Sequence, residues 1–394
     1  MRILIINTDY PVFLRQLYGG NPDLDRAAYA RQMQVRNASF FGVFDAYSHG
    51  FAAGGHDASE VHANNGPMQR AWAEEHQLRP PSSSRLRGRI RFHARRVANR
   101  LLPRPFDTRN VLRSPFPIEP WQLVDVLDAQ VRHIRPDVIL NQSVSEVGSD
   151  VLAPMRGQAR LVVGQIASPL PDNDDYRAYD LMVSSLPNFV SHFRALGKRA
   201  ELNRLGFDAR VLDALGQVPR DVEVSFVGSL SPAHPGRARL VEFLAGRTEL
   251  DIWGNGLEQF PLSSPIHRRY HGEAWGLDMF RALARSKITL NCHIGIAGDF
   301  ANNMRLYEAT GVGSLLITDR KANIAEIFEP GEEIVTYDSF EECLALIEQY
   351  RKDEPARARI AAAGQRRTLA THRYRDRTAE LAALFGACLD AGRA

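Results

Sequence analysis

Strand-like and helix-like patterns alternate along this chain twice over, and few folds accommodate that grammar. Apolar runs at RILIIN (2–7), PDVILNQ (136–142), RLVVGQI (160–166) and DLMVSS (180–185) predict strands in the first half. Helical spacing covers Asp23–Phe40, Pro67–His76 and Trp121–Ile134. The second half restarts with EVSFVGS (223–229), ELDIWG (249–254), RRYHG (268–272), KITLNCH (287–293) and SLLITD (314–319) as strands. Its helices are expected at Arg237–Ala245, Trp275–Arg285, Asn303–Thr310 and Phe340–Tyr350. Alternation of this kind implies parallel sheets with crossover helices, an α/β chain. The stretch 205–221, punctuated by Gly216 and Pro219, joins the halves, and two helical stretches, Pro355–Leu369 and Arg375–Leu389, close the chain. At 394 residues, two cores are the expectation.

Composition narrows the class. With 44% apolar and 24% charged residues, the chain is globular rather than disordered. No apolar run approaches the roughly 18 residues that cross a bilayer, and RILIIN reads as a first strand, not a secretory signal. Cys292, Cys343 and Cys388 have no metal-type spacing and suit a reducing compartment, so a cytoplasmic location is expected. Net charge is +3, but residues 85–113 carry +9, leaving −6 for the remainder. A block so basic, with Ile90, Phe92, Val97 and Leu101 interleaved, suits an anionic partner or a peripheral contact at the inner membrane face. A solvated insertion helix is the plainer reading. No nucleic-acid motif accompanies the charge, so nucleic acid is not an expected partner.

The stretch NNMRLYEATGVGSLLITD (302–319) carries the most chemistry. Arg305 and Glu308, three apart, share one face of a short helix that begins at Asn303 and ends at Gly311 or Gly313. Backbone N–H groups and a cation suit a diphosphate, and a carboxylate suits a pair of sugar hydroxyls. An amphipathic helix with a solvated Arg/Glu pair is the alternative. Walker, GxGxxG, HExxH, paired CxxC and GxSxG motifs are all missing from the chain, which leaves kinase, dehydrogenase, metalloprotease and serine hydrolase readings without support.

The blocks SFVGSLSP (225–232), ITLNCH (288–293), 302–319, FEPGEEIVTYDS (328–339) and THRYRDR (371–377) resemble, in order and spacing, the CgeB-like family of GT-B glycosyltransferases. The resemblance covers most of residues 222–380. It implies two Rossmann-like domains with parallel sheets facing a cleft. Residues 1–210 would form an acceptor domain with an insertion at about 77–117, and 216–371 a nucleotide-sugar donor domain. Residues 372–394 would form a C-terminal helix crossing back. It further implies sugar transfer from a UDP- or dTDP-type donor to a glycan, protein or lipid-linked acceptor, with no metal or other cofactor. Strand ends facing the cleft would then supply Gly228 and Ser229, Arg237, His271 and Gly272, Asn291 and His293 to the donor. Asn303 and Arg305 would hold the diphosphate, and Glu308 the ribose. Many retaining members carry two glutamates eight positions apart; here Glu308 fits the second, whereas Phe300 stands at the first, beside Asp299. The stereochemical course therefore does not follow.

In such an enzyme Arg305 would also be the electrostatic catalyst of leaving-group departure. An acceptor hydroxyl also needs a base. Asp9, just after the first strand, and the pair Asp45 and His49, four apart, are the candidates; a turn cap and a helix N-cap are their plain alternatives. Arg15, Tyr18 and Gln69 lie near enough in the chain to shape an acceptor pocket. Asp172, Asp174 and Asp175 suit a metal-binding acidic triplet but equally a polar turn. A nucleotide-sugar epimerase of the same fold and a nonenzymatic glycan-binding module are the rival functions.

Overall fold

The computed structural model describes residues 1–79, 118, 122–172, 174–230 and 235–391, so the arginine-rich segment 85–113 lies outside the described residues. Two parallel sheets carry the chain. The first has six strands in the order β2-β1-β3-β4-β5-β6: β1 (Arg2–Asn7), β2 (Asp57–His62), β3 (Val138–Asn141), β4 (Leu161–Gln165), β5 (Leu181–Ser184) and β6 (Ala200–Leu202). The second has five in the order β11-β10-β9-β7-β8: β7 (Val222–Val227), β8 (Leu250–Trp253), β9 (Ser286–Asn291), β10 (Leu315–Asp319) and β11 (Val335–Tyr337). The inner strands β1, β3, β5, β9 and β10 are buried nearly end to end, as strands covered by helices on both faces must be. In both sheets the first strand lies inside the strand order, so each has a switch point where a crevice opens beyond the strand ends.

Three strands escaped the sequence reading. β2, DASEVH, is a polar edge strand paired only with β1. β6 and β11 are three residues each, too short for a periodic signal. Conversely, RRYHG is not a strand. Pro265–Arg269 form a 3-10 helix, and only Tyr270 bridges to Ile252, because Arg269 turns to the buried carboxylate of Asp251. The helix expected over Asp23–Phe40 splits. Asp23 adopts a left-handed conformation ahead of a 3-10 turn, and the α-helix runs only from Tyr29 to Ala38.

The chain's last helix, Tyr374–Ala391, crosses from the second sheet back to the first and packs on the helix Ala46–Ala53. Gly50 makes the approach possible, since a Cβ there would lie 2.4 Å from the Thr378 hydroxyl. Tyr47 against Tyr374 and Phe51 against Phe385 fill the seam, with ring centroids 5.3 and 6.0 Å apart.

His372, at the start of this return, is buried and neutral. Its Nε2–H donates to the Ile327 carbonyl at 2.9 Å while Nδ1 accepts from Arg377 at 2.9 Å. Burial, reinforced by the Arg377 charge, pushes its pKa down to about 4. In the unfolded chain it takes up a proton near its ordinary 6.5, so between pH 6.5 and 4 the unfolded state holds more protons and stability rises with pH. Acidifying through that window is expected to cost about 3 kcal/mol. Denaturant titrations at pH 7.5 and 4.5 should show that loss in the wild type and a smaller one in His372→Gln.

Candidate functional site

The C-terminal sheet brings nearly all its sequence-nominated residues to one edge. At the ends of β7 and β8 the backbone closes on itself: Gly228 N donates to Trp253 O and Gly254 N donates to Gly272 O, each at 2.9 Å. Gly254 has φ 155, and a Cβ there would stand 1.8 Å from Gly228 O, so only glycine fits. The imidazole of His271 stacks on Trp253 at 4.5 Å and lies 2.5 Å from the carboxylate of Asp251, which also takes Arg269 at 2.8 Å.

One strand over, two guanidinium groups share the crevice. Arg305 donates through Nε to Val227 O at 3.2 Å and through Nη1 to Glu308 at 2.7 Å. Both side chains are largely buried, and burial pushes the Glu308 carboxyl up against the opposing pull of Arg305. Arg237 reaches in from the helix Pro235–Ala245 and bridges Ser229 O at 3.2 Å and Cys292 O at 2.8 Å. Among the described residues it meets no carboxylate, and its Nε is buried without a partner. Burial lowers its pKa, and the Arg305 charge adds to that. Two guanidinium groups thus stand together beyond β7 and β9, with Glu308 bonded to one and Asp319 acting on the other through space.

Asparagines and a His–Asp pair line the rest. Asn303 donates to Asn291 Oδ1 at 2.7 Å, accepts from Leu306 N at 3.3 Å, and so ties the end of β9 to the helix Arg305–Gly311. Asn291 in turn donates to Thr318 at 2.9 Å. His293 is buried with Nδ1 at 2.6 Å from Asp319, whose same oxygen takes the His293 backbone N–H at 2.9 Å. Burial alone would raise the Asp319 carboxyl; the His293 hydrogen bonds and the nearby Lys321 ammonium outweigh that and hold it below its ordinary value. The sequence reading passed over Asp319, Lys321, Trp253 and Asp251, although Asp319 ends a strand whose partner strand ends in nominated residues.

The N-terminal candidates are placed differently. Asp9 is fully buried. Its carboxylate is buried and takes Arg36 through Nε at 3.1 Å and Nη2 at 2.9 Å, with Asn65 at 3.2 Å and His62 Nδ1 at 3.2 Å. Burial would raise its pKa, but the Arg36 charge and His62 override that and hold it far below the carboxylate range, which makes it a weak base. Asp45 and His49 do not pair. Asp45 takes Arg210 at 2.8 Å and makes no side-chain cap, whereas His49 is exposed and reaches it only through its backbone N–H. Tyr18 and Gln69 are buried in the network around Asn65 and His62, and Arg15 is exposed. Asp174 caps Ser149 N and Tyr176 N while Asp175 pairs with Arg177, as a polar turn requires; Asn173 lies outside the described residues. Among the described residues no three His, Cys, Asp or Glu side chains converge as metal ligands.

Comparison with known proteins places this geometry. A family model described as glycosyl transferase-like matches residues 237–383, the part that holds Arg237, Arg305 and Glu308. Similar solved structures span both sheets. HepE of Anabaena in complex with UDP-glucose is 14% identical, covers 98% of this chain and 100% of its own, and has a TM-score of 0.56. The fold is GT-B. A sucrose-phosphate synthase from Thermosynechococcus elongatus (12% identity, 99% and 100% covered, TM-score 0.56) shares this GT-B architecture. So does AviGT4, a glycosyltransferase involved in avilamycin A biosynthesis (12%, 99% and 98%, 0.55). No curated protein sequence matches the chain.

Denaturant unfolding separates the two N-terminal carboxylates. Asp9→Asn leaves buried Arg36 without its counter-charge and is expected to cost about 3–5 kcal/mol. Asp45→Asn, at a half-exposed pair, is expected to cost about 1 kcal/mol or less.

Proposed function

We propose that this chain is a glycosyltransferase that moves a sugar from a nucleoside diphosphate donor, of the UDP or dTDP type, to a hydroxyl of a surface glycan, protein or lipid-linked acceptor. The observation that carries the reading is Arg237, a guanidinium that contacts no carboxylate of the described residues, set beside Arg305 at the switch point of the C-terminal sheet. Two guanidinium groups aimed at one crevice complement a diphosphate, and they complement it better as the glycosidic bond breaks and charge gathers on the leaving group. That electrostatic work needs no resident metal ion in this reading. Glu308 offers Oε1, which accepts no hydrogen bond from a described residue, to the ribose, while Oε2 stays on Arg305. Trp253 stacked on His271 forms a flat wall at the next strand end, where a base packs. The UDP-glucose complex of HepE and the glycosyl transferase-like match over 237–383 support a nucleotide-sugar donor. The sequence blocks from 225 to 377 favour the CgeB-like branch of such enzymes.

The geometry also sorts the mutants. Arg305→Ala would strand the buried Glu308 and so damage fold and site together. Arg237→Gln removes a cation that no carboxylate of the described residues contacts, so its melting temperature is expected to stay within a few degrees of wild type. Its turnover, read as donor hydrolysis with and without acceptor extract, should drop roughly 100- to 1000-fold.

Thermal melting with UDP, dTDP, GDP and CMP names the donor. The matching diphosphate at about 100 times its dissociation constant should raise the wild-type midpoint on the order of 5–11 °C. That rise should disappear in Arg237→Gln. No rise with any nucleotide, or an equal rise in the variant, defeats the reading.

A further inference from the structure

The imidazole of His271 has its hydrogen placed by its neighbours. Its Nε2 stands 2.5 Å from Asp251 Oδ1, and the Asp251 side chain is only 4% exposed. A carboxylate accepts hydrogen bonds and does not donate them, so Nε2 carries the hydrogen. Arg269 donates to the same carboxylate twice, through Nε to Oδ1 at 3.2 Å and through Nη2 to Oδ2 at 2.8 Å. The Asp251 charge is thus met by a guanidinium, and a neutral His271 ring completes the set. In that ring Nδ1 is a bare acceptor.

This acceptor is accessible and aimed. The His271 side chain is 44% exposed, and Nδ1 takes no hydrogen bond from a described residue. Asp251 precedes Trp253 by two residues on β8, so both lie on one face of the strand and Nε2 points back along it. The other ring nitrogen therefore points past the strand end, where the crevice opens. Stacking on Trp253, with 22° between the planes, fixes the ring's tilt. Trp253 is in register with Val227, whose carbonyl holds Arg305. One strand spacing, about 5 Å, separates the strand end at Arg305 from the one that carries this wall.

A fixed acceptor sorts pyrimidines by their ring nitrogens. Uracil and thymine carry an N3–H between two carbonyls and can donate to it. Cytosine has no hydrogen on N3, so its lone pair would oppose that of Nδ1. We propose that His271 Nδ1 reads the base of the donor, accepting the N3–H of uracil or thymine and rejecting cytosine. The proposal rests on the nucleoside diphosphate reading given above and names the group that selects within it.

Calorimetric titration of the full chain with UDP, dTDP, CDP, GDP and N3-methyl-UDP isolates the base, because all five share the diphosphate. At about pH 8, where an ordinary imidazole is neutral, the tighter of UDP and dTDP should bind roughly tenfold or more above CDP. Methylation of N3 should weaken UDP by a similar factor. His271→Phe keeps a ring on Trp253 and leaves Asp251 its two Arg269 bonds, but removes the acceptor. In this variant UDP and dTDP should fall to the affinity of CDP. A purely structural loss would instead weaken all the nucleotides alike and preserve their ratio. Equal wild-type affinities for UDP, dTDP and CDP, tolerance of the N3 methyl group, or an unchanged ratio in His271→Phe overturns the proposal and leaves the donor site standing. Binding of GDP alone does the same. Binding of none of the five defeats the donor-site reading, and the proposal falls with it.

Discussion

Everything that faces the cleft depends on a short backbone clasp between the chain's two crossings. Phe207, on its way from the first sheet to the second, pairs in parallel with Arg373 on the way back: Phe207 N donates to His372 O at 2.8 Å and Tyr374 N to Phe207 O at 3.1 Å. Two glycines let the strands and a helix approach this point. A Cβ on Gly206 would lie 2.8 Å from Tyr374 N, and one on Gly311 would enter the Phe207 ring at 2.6 Å. Arg377 completes the clasp with hydrogen bonds to the carbonyls of Leu205 and Thr371 and to His372, and with an ion pair to Glu380. Because Gly311 ends the helix that begins at Arg305, the clasp and the candidate donor site are two ends of one seven-residue rod.

Charge is distributed between the two sheets in opposite senses. In the first, the charge after β1 is closed off: Asp9 with Arg36, and Asn64 and Asn65 around them, form a network that fixes that loop. In the second, the account is left open. Among the described residues Arg237 donates to carbonyl oxygens and to no carboxylate, an arrangement that costs free energy in a folded chain and that, in the proposed function, an arriving anion would complete. Asp319 beside His293 and Lys321 shows that carboxylates were available at the next strand end and are committed elsewhere. An electrostatic site that is incomplete without its ligand is what differential stabilisation of a developing diphosphate charge requires.

The inner strands were legible because full burial on both faces writes itself as unbroken apolar runs, as in RILIIN and SLLITD. Edge strands are not written that way. β2 reads as DASEVH, and RRYHG mimics a strand while its arginine reaches for Asp251. The same difference explains the sites. Arg305 and Glu308 sit three apart on one helix, so their pairing is a local fact of helical geometry. Asp9 follows a strand as a catalytic base would, but its fate is set by Arg36, which is distant in sequence and carries no local mark of its partner.

By itself, then, the sequence determined two α/β halves, their inner strands, and the chemistry gathered in residues 302–319, since these follow from periodicity and near-neighbour spacing. Only the tertiary structure decided which charges are spent and which are free. It buried Asp9 against Arg36, drew Asp45 to Arg210 instead of His49, and left Arg237 and Glu60 each with an unanswered polar atom. Whether a charged side chain serves the fold or a ligand depends on its partner in space, and partners brought together from far apart in the chain leave no trace in residue spacing.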